Sequence, residues 1–228
     1  MKSPKSTGRI IGILLLVHLI TGLTTPYIIL RPLSAPLTFA ANDPFKSLLV
    51  RLSVMLLFIG GAITIAIAVT AWPIFRQYSY GLALWLVALA VVNFSLQCIE
   101  NAAWMSLFSL SQDYAKAAPA DVGFYNVVGA VVRSAWKWVH YTHLLIMVSW
   151  MLMLCAALWR LALVPRVLAA LGVVGTLMQM TGITLPQFLN YPSPMALAMG
   201  LPLGVIYLTL SVWLMAKGFR DPEQLATS

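Results

Sequence analysis

Apolar residues dominate six stretches of this chain, at roughly 10–30, 52–75, 82–109, 136–160, 166–188 and 195–217. Each is long enough to cross a bilayer as a helix, which needs about 20 predominantly apolar residues at a rise of about 1.5 Å each. Between them lie short connections holding most of the prolines and charges. The pattern predicts an all-α, polytopic transmembrane bundle of six spanning helices. Residues 1–228 are expected to form a single integral membrane domain, because the connections are too short to fold separately.

Two connections are longer. "RPLSAPLTFAANDPFKS" carries three prolines and is expected to be an irregular loop. "PADVGFYNVVGAVVRSAWKW" has a proline start and helix-compatible spacing, with Arg133 and Lys137 near its end, and is expected to be an interfacial helix leading into span four. "TGLTTP" (21–26) and "TGITLP" (181–186) echo one another, and their Gly and Pro suggest two helices that bend alike. So short a match also arises by chance, and no duplicated transporter is inferred from it. "YPSP" before span six reads as a turn, with Gln187 and Asn190 placed to cap helices or line a pocket.

Composition supports the membrane reading: 61% of residues are hydrophobic, 9% are charged, and mean hydropathy is +0.90. The formal net charge of +8 would suggest nucleic acid in a soluble protein. Here the cations fall between apolar runs, where they set topology and meet anionic lipid headgroups, and nothing else points to nucleic acid. With a cytoplasmic amino terminus, eight cations (Lys2, Lys5, Arg9, Arg76, Arg160, Arg166, Lys217, Arg220) lie inside and six (Arg31, Lys46, Arg51, Lys116, Arg133, Lys137) outside. Asp43, Asp113 and Asp121 then fall outside. Trp72, Trp85, Trp159 and Trp213 form an inner belt, and Trp104, Trp136 and Trp138 an outer one. Both termini are therefore expected in the cytoplasm. The first apolar run exceeds a signal-peptide core and no A-x-A site follows, so an uncleaved first span is expected. Cys98 and Cys155 lie inside spans, and no disulfide framework is indicated.

Polar residues inside the spans carry the candidate chemistry. Asn93, Gln97, Glu100, Asn101 and Trp104 recur at helical spacing and form one stripe on span three. Glu100 lies about 28 Å along that helix from Gly81, in the outer half of the membrane. His140 and His143 begin span four from the same side, at comparable depth, while His18 sits nearer the midplane. An intramembrane acid costs about 2.5–3.5 kcal/mol on insertion scales and is a functional candidate for that reason. The competing reading is that Glu100 is protonated and joins the amides in hydrogen bonds between helices, each worth about 0.6 kcal/mol.

"HYTH" lets two imidazoles face one point, and Glu100 with His140 and His143 would make a non-haem metal ligand set. Histidine among Trp136, Trp138 and Tyr141 also serves as an interfacial anchor. A haem would need His18 opposite one of the span-four histidines. No cofactor is favoured. Arg51 either snorkels to the headgroups, the preferred reading, or pairs with Glu100. Met147, Met151, Met153, Met178 and Met180 read as core filling rather than copper ligands. The chain lacks G-x-x-x-x-G-K-[ST], G-x-S-x-G, H-E-x-x-H and C-x-x-C motifs.

"RIIGILLL" near the amino terminus, "IEN" in span three and "HYTHLLIMVSWMLMLCAALWRLALVPRVLAALGVVG" across spans four and five resemble the bacterial domain of unknown function 4386 family. The resemblance covers nearly the whole chain and implies a six-span bacterial inner-membrane protein. His140 matches the family's histidine at the head of span four, and "LVPRVLAALG" its connection into span five. His143 departs, since a small residue is usual there, which weakens a two-histidine site as a family property.

Three functions fit these features. The favoured one is binding or transport of a small or lipophilic ligand in an outward-facing polar pocket formed by Glu100, Asn101, Gln97, Asn93 and His140, with Glu100 exchanging a proton or pairing with a cation. The second is a membrane-embedded enzyme using Glu100 and His140 as acid and base, with or without metal or haem. The third is a structural or sensory subunit whose polar stripe is a contact surface. Ligand identity and oligomeric state are left open.

Overall fold

The structure, a computed structural model, describes residues 3–30, 43–188 and 193–220. Among these, every regular element is helical. Helix α1 spans Pro4–Leu23 and continues as a π-helical segment, Thr24–Leu30. Helix α2 spans Pro44–Tyr78 and α3 Tyr80–Tyr114. A 3₁₀ turn at Pro119–Asp121 leads into α4, Val122–Arg160. Helix α5 spans Arg166–Phe188 and α6 Ser193–Lys217. Six helices are long and apolar enough to cross a membrane, so this is a multi-pass membrane protein.

Several helices outrun their apolar cores. α2 begins at Pro44 because Asp43 caps it: its Oδ1 accepts from the amides of Phe45, at 3.0 Å, and Lys46, at 3.2 Å. Pro44 occupies the first helical position, where a missing N–H costs nothing. The last residues of the expected proline-rich loop are thus helical, while Arg31 to Asn42 lie outside the described residues, as do Asn190 and the first half of "YPSP". The expected helix before span four is present, but it runs into span four without a break, so that α4 has 39 residues. At 1.5 Å per residue it is about 58 Å long, nearly twice a bilayer's hydrocarbon thickness. The two echoing segments differ: 24–26 belong to the π-helical turn, whereas 181–186 remain α-helical through Pro186. There Thr184 Oγ1 donates to the carbonyls of Met180, at 3.0 Å, and Thr181, at 3.2 Å.

The chain divides into two compact units. Unit one comprises residues 1–19, 63–93 and 144–228, and unit two residues 20–62 and 94–143. Unit one contains the extended apolar core, including Ile11, Leu15, Ile67, Phe75, Trp150, Leu154, Leu158 and Leu214. Lipid is as apolar as leucine, so these helices gain from close packing rather than from leaving water. Small residues permit the approach. A Cβ added at Gly12 of α1 would lie 2.7 Å from Met215 N and 2.8 Å from Ser211 O of α6. Gly8, one turn earlier in "GRIIG", lies against the backbone of Gly218 and Phe219. On α5, a Cβ at Gly175 would meet Ile206 Cδ1 of α6 at 2.9 Å, and one at Gly172 would meet Cys155 Sγ of α4 at 2.6 Å.

Among the described residues of unit two, Val50 and Phe108 form a small apolar cluster with Leu49 and Met105 against them, and Leu30, Trp104 and Leu107 are also buried. Its other buried side chains include Gln97, Glu100, Asn101 and His143.

Candidate functional site

Helix α3 places Glu100 on the face it shares with Gln97, Asn101 and Trp104, and all four are buried. Helix α4 presents Trp136, His140 and His143 at spacings of four and three, again one face. Within unit two these faces meet. Glu100 Oε1 lies 2.8 Å from His140 Nδ1 and Oε2 lies 2.7 Å from His143 Nδ1, so each carboxylate oxygen has its own imidazole. An ionised carboxylate only accepts, and with Glu100 ionised both rings carry a proton on Nδ1 and donate it. Neither distance leaves room for an ion between donor and acceptor.

Aromatic rings support the imidazoles. Trp136 stacks on His140, with centroids 5.4 Å apart and planes at 19°, and meets Trp104 edge to face at 5.0 Å. Trp136 Nε1 is buried without a hydrogen-bond partner among the described residues. The amides continue the network: Gln97 Nε2 donates to Asn101 Oδ1 at 3.0 Å, and Asn101 Nδ2 to the Val54 carbonyl of α2 at 3.3 Å. α2 comes this close because of Gly61, where an added Cβ would lie 3.1 Å from Gln97 Cγ.

Exposure distinguishes the three ionisable groups. The side chains of Glu100 and His143 are 6% and 9% exposed, and that of His140 is 29% exposed.

Other expected participants lie elsewhere. Asn93 belongs to unit one, where its Nδ2 donates to Thr64 Oγ1 at 3.3 Å and its Oδ1 is buried without a partner among the described residues. His18 also belongs to unit one: its Nδ1 lies 2.8 Å from Tyr207 OH, and its ring stacks on that tyrosine at 5.9 Å. His18 is thus engaged within unit one, while His140 and His143 belong to unit two. The metal set of Glu100, His140 and His143 also lacks the geometry: among the described residues no group of three His, Cys, Asp or Glu side chains is arranged to hold an ion. Arg51 lies exposed with its guanidinium 5.5 Å from the centroid of Phe108, and among the described residues no ion pair joins it to Glu100.

Sequence reasoning missed the role of Trp136, placing it only in an aromatic belt. Its spacing from His140 and His143 was the available signal. The tie from Asn101 to a backbone carbonyl of α2 has no counterpart in any sequence period.

Over residues 10–218 the chain matches the family described as Domain of unknown function (DUF4386). It belongs to that family. The match spans all six apolar helices apart from the first turns of α1, as the "RIIGILLL" and "IEN" landmarks imply. No curated protein and no solved structure matches this DUF4386 chain.

Proposed function

We propose that this DUF4386 protein lies in a bacterial inner membrane with both termini in the cytoplasm, and that it binds or carries a small or lipophilic ligand at Glu100 and His140, coupled to protonation. One observation carries the reading: a buried carboxylate whose two oxygens are each held by an imidazole, one of them partly exposed. Joining helices requires no acid, since Asn101 already does it here with an amide bonded to the Val54 carbonyl of α2. A carboxylate between two imidazoles can instead exchange a proton for a cationic or polar group.

The test is a ligand screen by thermal shift on protein in mild detergent at pH 5.5 and 8, roughly either side of an ordinary histidine pKa of about 6.5. Wild-type protein is expected to be stabilised by at least one lipophilic or cationic compound, to an extent that differs between the two pH values. Glu100→Gln is expected to lose both the shift and its pH dependence. Equal shifts in wild type and Glu100→Gln would refute the reading.

The geometry favours one second reading. A histidine held by a carboxylate through Nδ1 presents Nε2 as a base, the arrangement used in acid–base catalysis. His140 has this arrangement and is partly exposed. On this reading His140→Ala abolishes turnover of a membrane-dissolved substrate while protein yield is kept, and equal losses of both would make the histidine structural.

A further inference from the structure

A second charged feature lies in unit one, where the end of α6 meets the start of α1 and the α4–α5 loop. Gly218 has φ +71°, and an added Cβ there would collide with the Lys5 carbonyl, so the turn after α6 is seated on the first turn of α1. Arg9 donates from its guanidinium to the Ala216 carbonyl at 3.3 Å. The Arg220 amide donates to the Leu163 carbonyl at 2.9 Å, fixing the same turn to the loop between Arg160 and Arg166. That loop is closed tightly, with Ala162 at φ +50°.

These contacts gather Lys5, Arg9, Arg160, Arg166, Lys217 and Arg220, all exposed, around one turn. No Asp or Glu occurs among the described residues of unit one; Asp221 and Glu223 lie outside them. Helix dipoles account for part of this, because Arg160 and Lys217 occupy the last turns of α4 and α6. They do not account for Lys5 and Arg9 in the first turns of α1, the end where the dipole disfavours cations. Beside the cations stand exposed apolar side chains, Trp159 at 52% and Val167 at 72%. A basic cluster bordered by lipid-exposed apolar surface fits a phosphate head joined to acyl chains better than a free ion.

We infer that this cluster is a binding site for the headgroup of an anionic phospholipid, separate from the Glu100 site. The experiment measures lipid binding to the full chain in mild detergent, by native mass spectrometry and thermal shift. The probes are phosphatidylglycerol, phosphatidylcholine and inorganic phosphate. Phosphatidylglycerol is expected to bind and stabilise, and the other two are not. Each cation removed is expected to weaken binding about fivefold, so Arg160→Gln/Arg166→Gln/Arg220→Gln loses about a hundredfold. Lys116→Gln/Lys137→Gln, in unit two, is expected to bind as the wild type does. If the triple variant folds poorly, Arg166→Gln alone reports the fivefold step. Unchanged affinity in the Arg variants, or equal stabilisation by phosphatidylcholine or inorganic phosphate, would overturn the assignment.

Discussion

Unit one joins its helices mainly through apolar side chains and glycine contacts, with polar bonds at Asn93 and His18, whereas unit two relies on amides and an acid held between two imidazoles. Unit two gives up packing for groups whose hydrogen bonds change with protonation. Among its described residues the apolar cluster is small, centred on Val50 and Phe108. Functional segments are commonly drawn from the less densely packed part of a protein, and the contrast places that part in unit two.

Substitutions can break the comparison at several strengths. The largest effect is expected from Gly12→Val in unit one, because the new side chain meets backbone atoms of α6 that cannot turn away. Overpacking of this kind costs about 3 kcal/mol or more, seen as a large fall in melting temperature or loss of folded protein in detergent. Gly204→Ala on α6, where an added Cβ has open space, is the control expected to be near neutral.

Next is Glu100→Ala, which leaves two Nδ1–H donors without their acceptor. Each buried unsatisfied group costs about 1–3 kcal/mol, so destabilisation should exceed that of Glu100→Gln, whose amide oxygen still accepts one bond. Equal melting temperatures for the two variants would show that the imidazoles do not depend on Glu100. A smaller loss, about 0.6 kcal/mol, is expected for Gln97→Leu, with oligomeric state unchanged because Gln97 bonds within its own chain. A changed assembly by light scattering would revive the subunit reading.

The smallest effect lies at the cap of α2. The Lys46 amide, donating to Asp43, holds that carboxyl below its ordinary value of 3.8, outweighing desolvation, with the Phe45 amide and the Lys46 charge adding to it. A lowered folded-state pKa stabilises above the unfolded value and is lost as pH falls through the folded one. The cap's contribution should therefore persist at neutral pH and vanish below about pH 3.8, and Asp43→Ala should remove that dependence. Amide exchange at Phe45 and Lys46 measures it.

Hydropathy alone located all six helices, because a bilayer imposes a length and composition that few other structures share. It could not see where helices extend past the hydrocarbon. The start of α2 depends on Asp43 and Pro44, a cap and a first-turn proline legible in principle but hidden inside a proline-rich stretch. In the site, the helical periods of α3 and α4 put Glu100, His140 and His143 on meeting faces at similar depth, and the geometry follows that expectation. Asn93, on the same helix, bonds to Thr64 of α2, a partner that a stripe on one helix does not reveal. The partners of His18 and Asn101 come from other helices, and their pairing depends on packing that no single-helix pattern encodes.

Nitrogen-15 NMR of histidine-labelled protein in lipid bilayers, titrated with pH, tests the protonation cluster most directly. His140 and His143 are predicted to carry Nδ1 protons that the Glu100 carboxylate accepts. Both signals should move in Glu100→Gln while His18 stays in place. Identical His140 and His143 signals in wild type and Glu100→Gln would contradict the account.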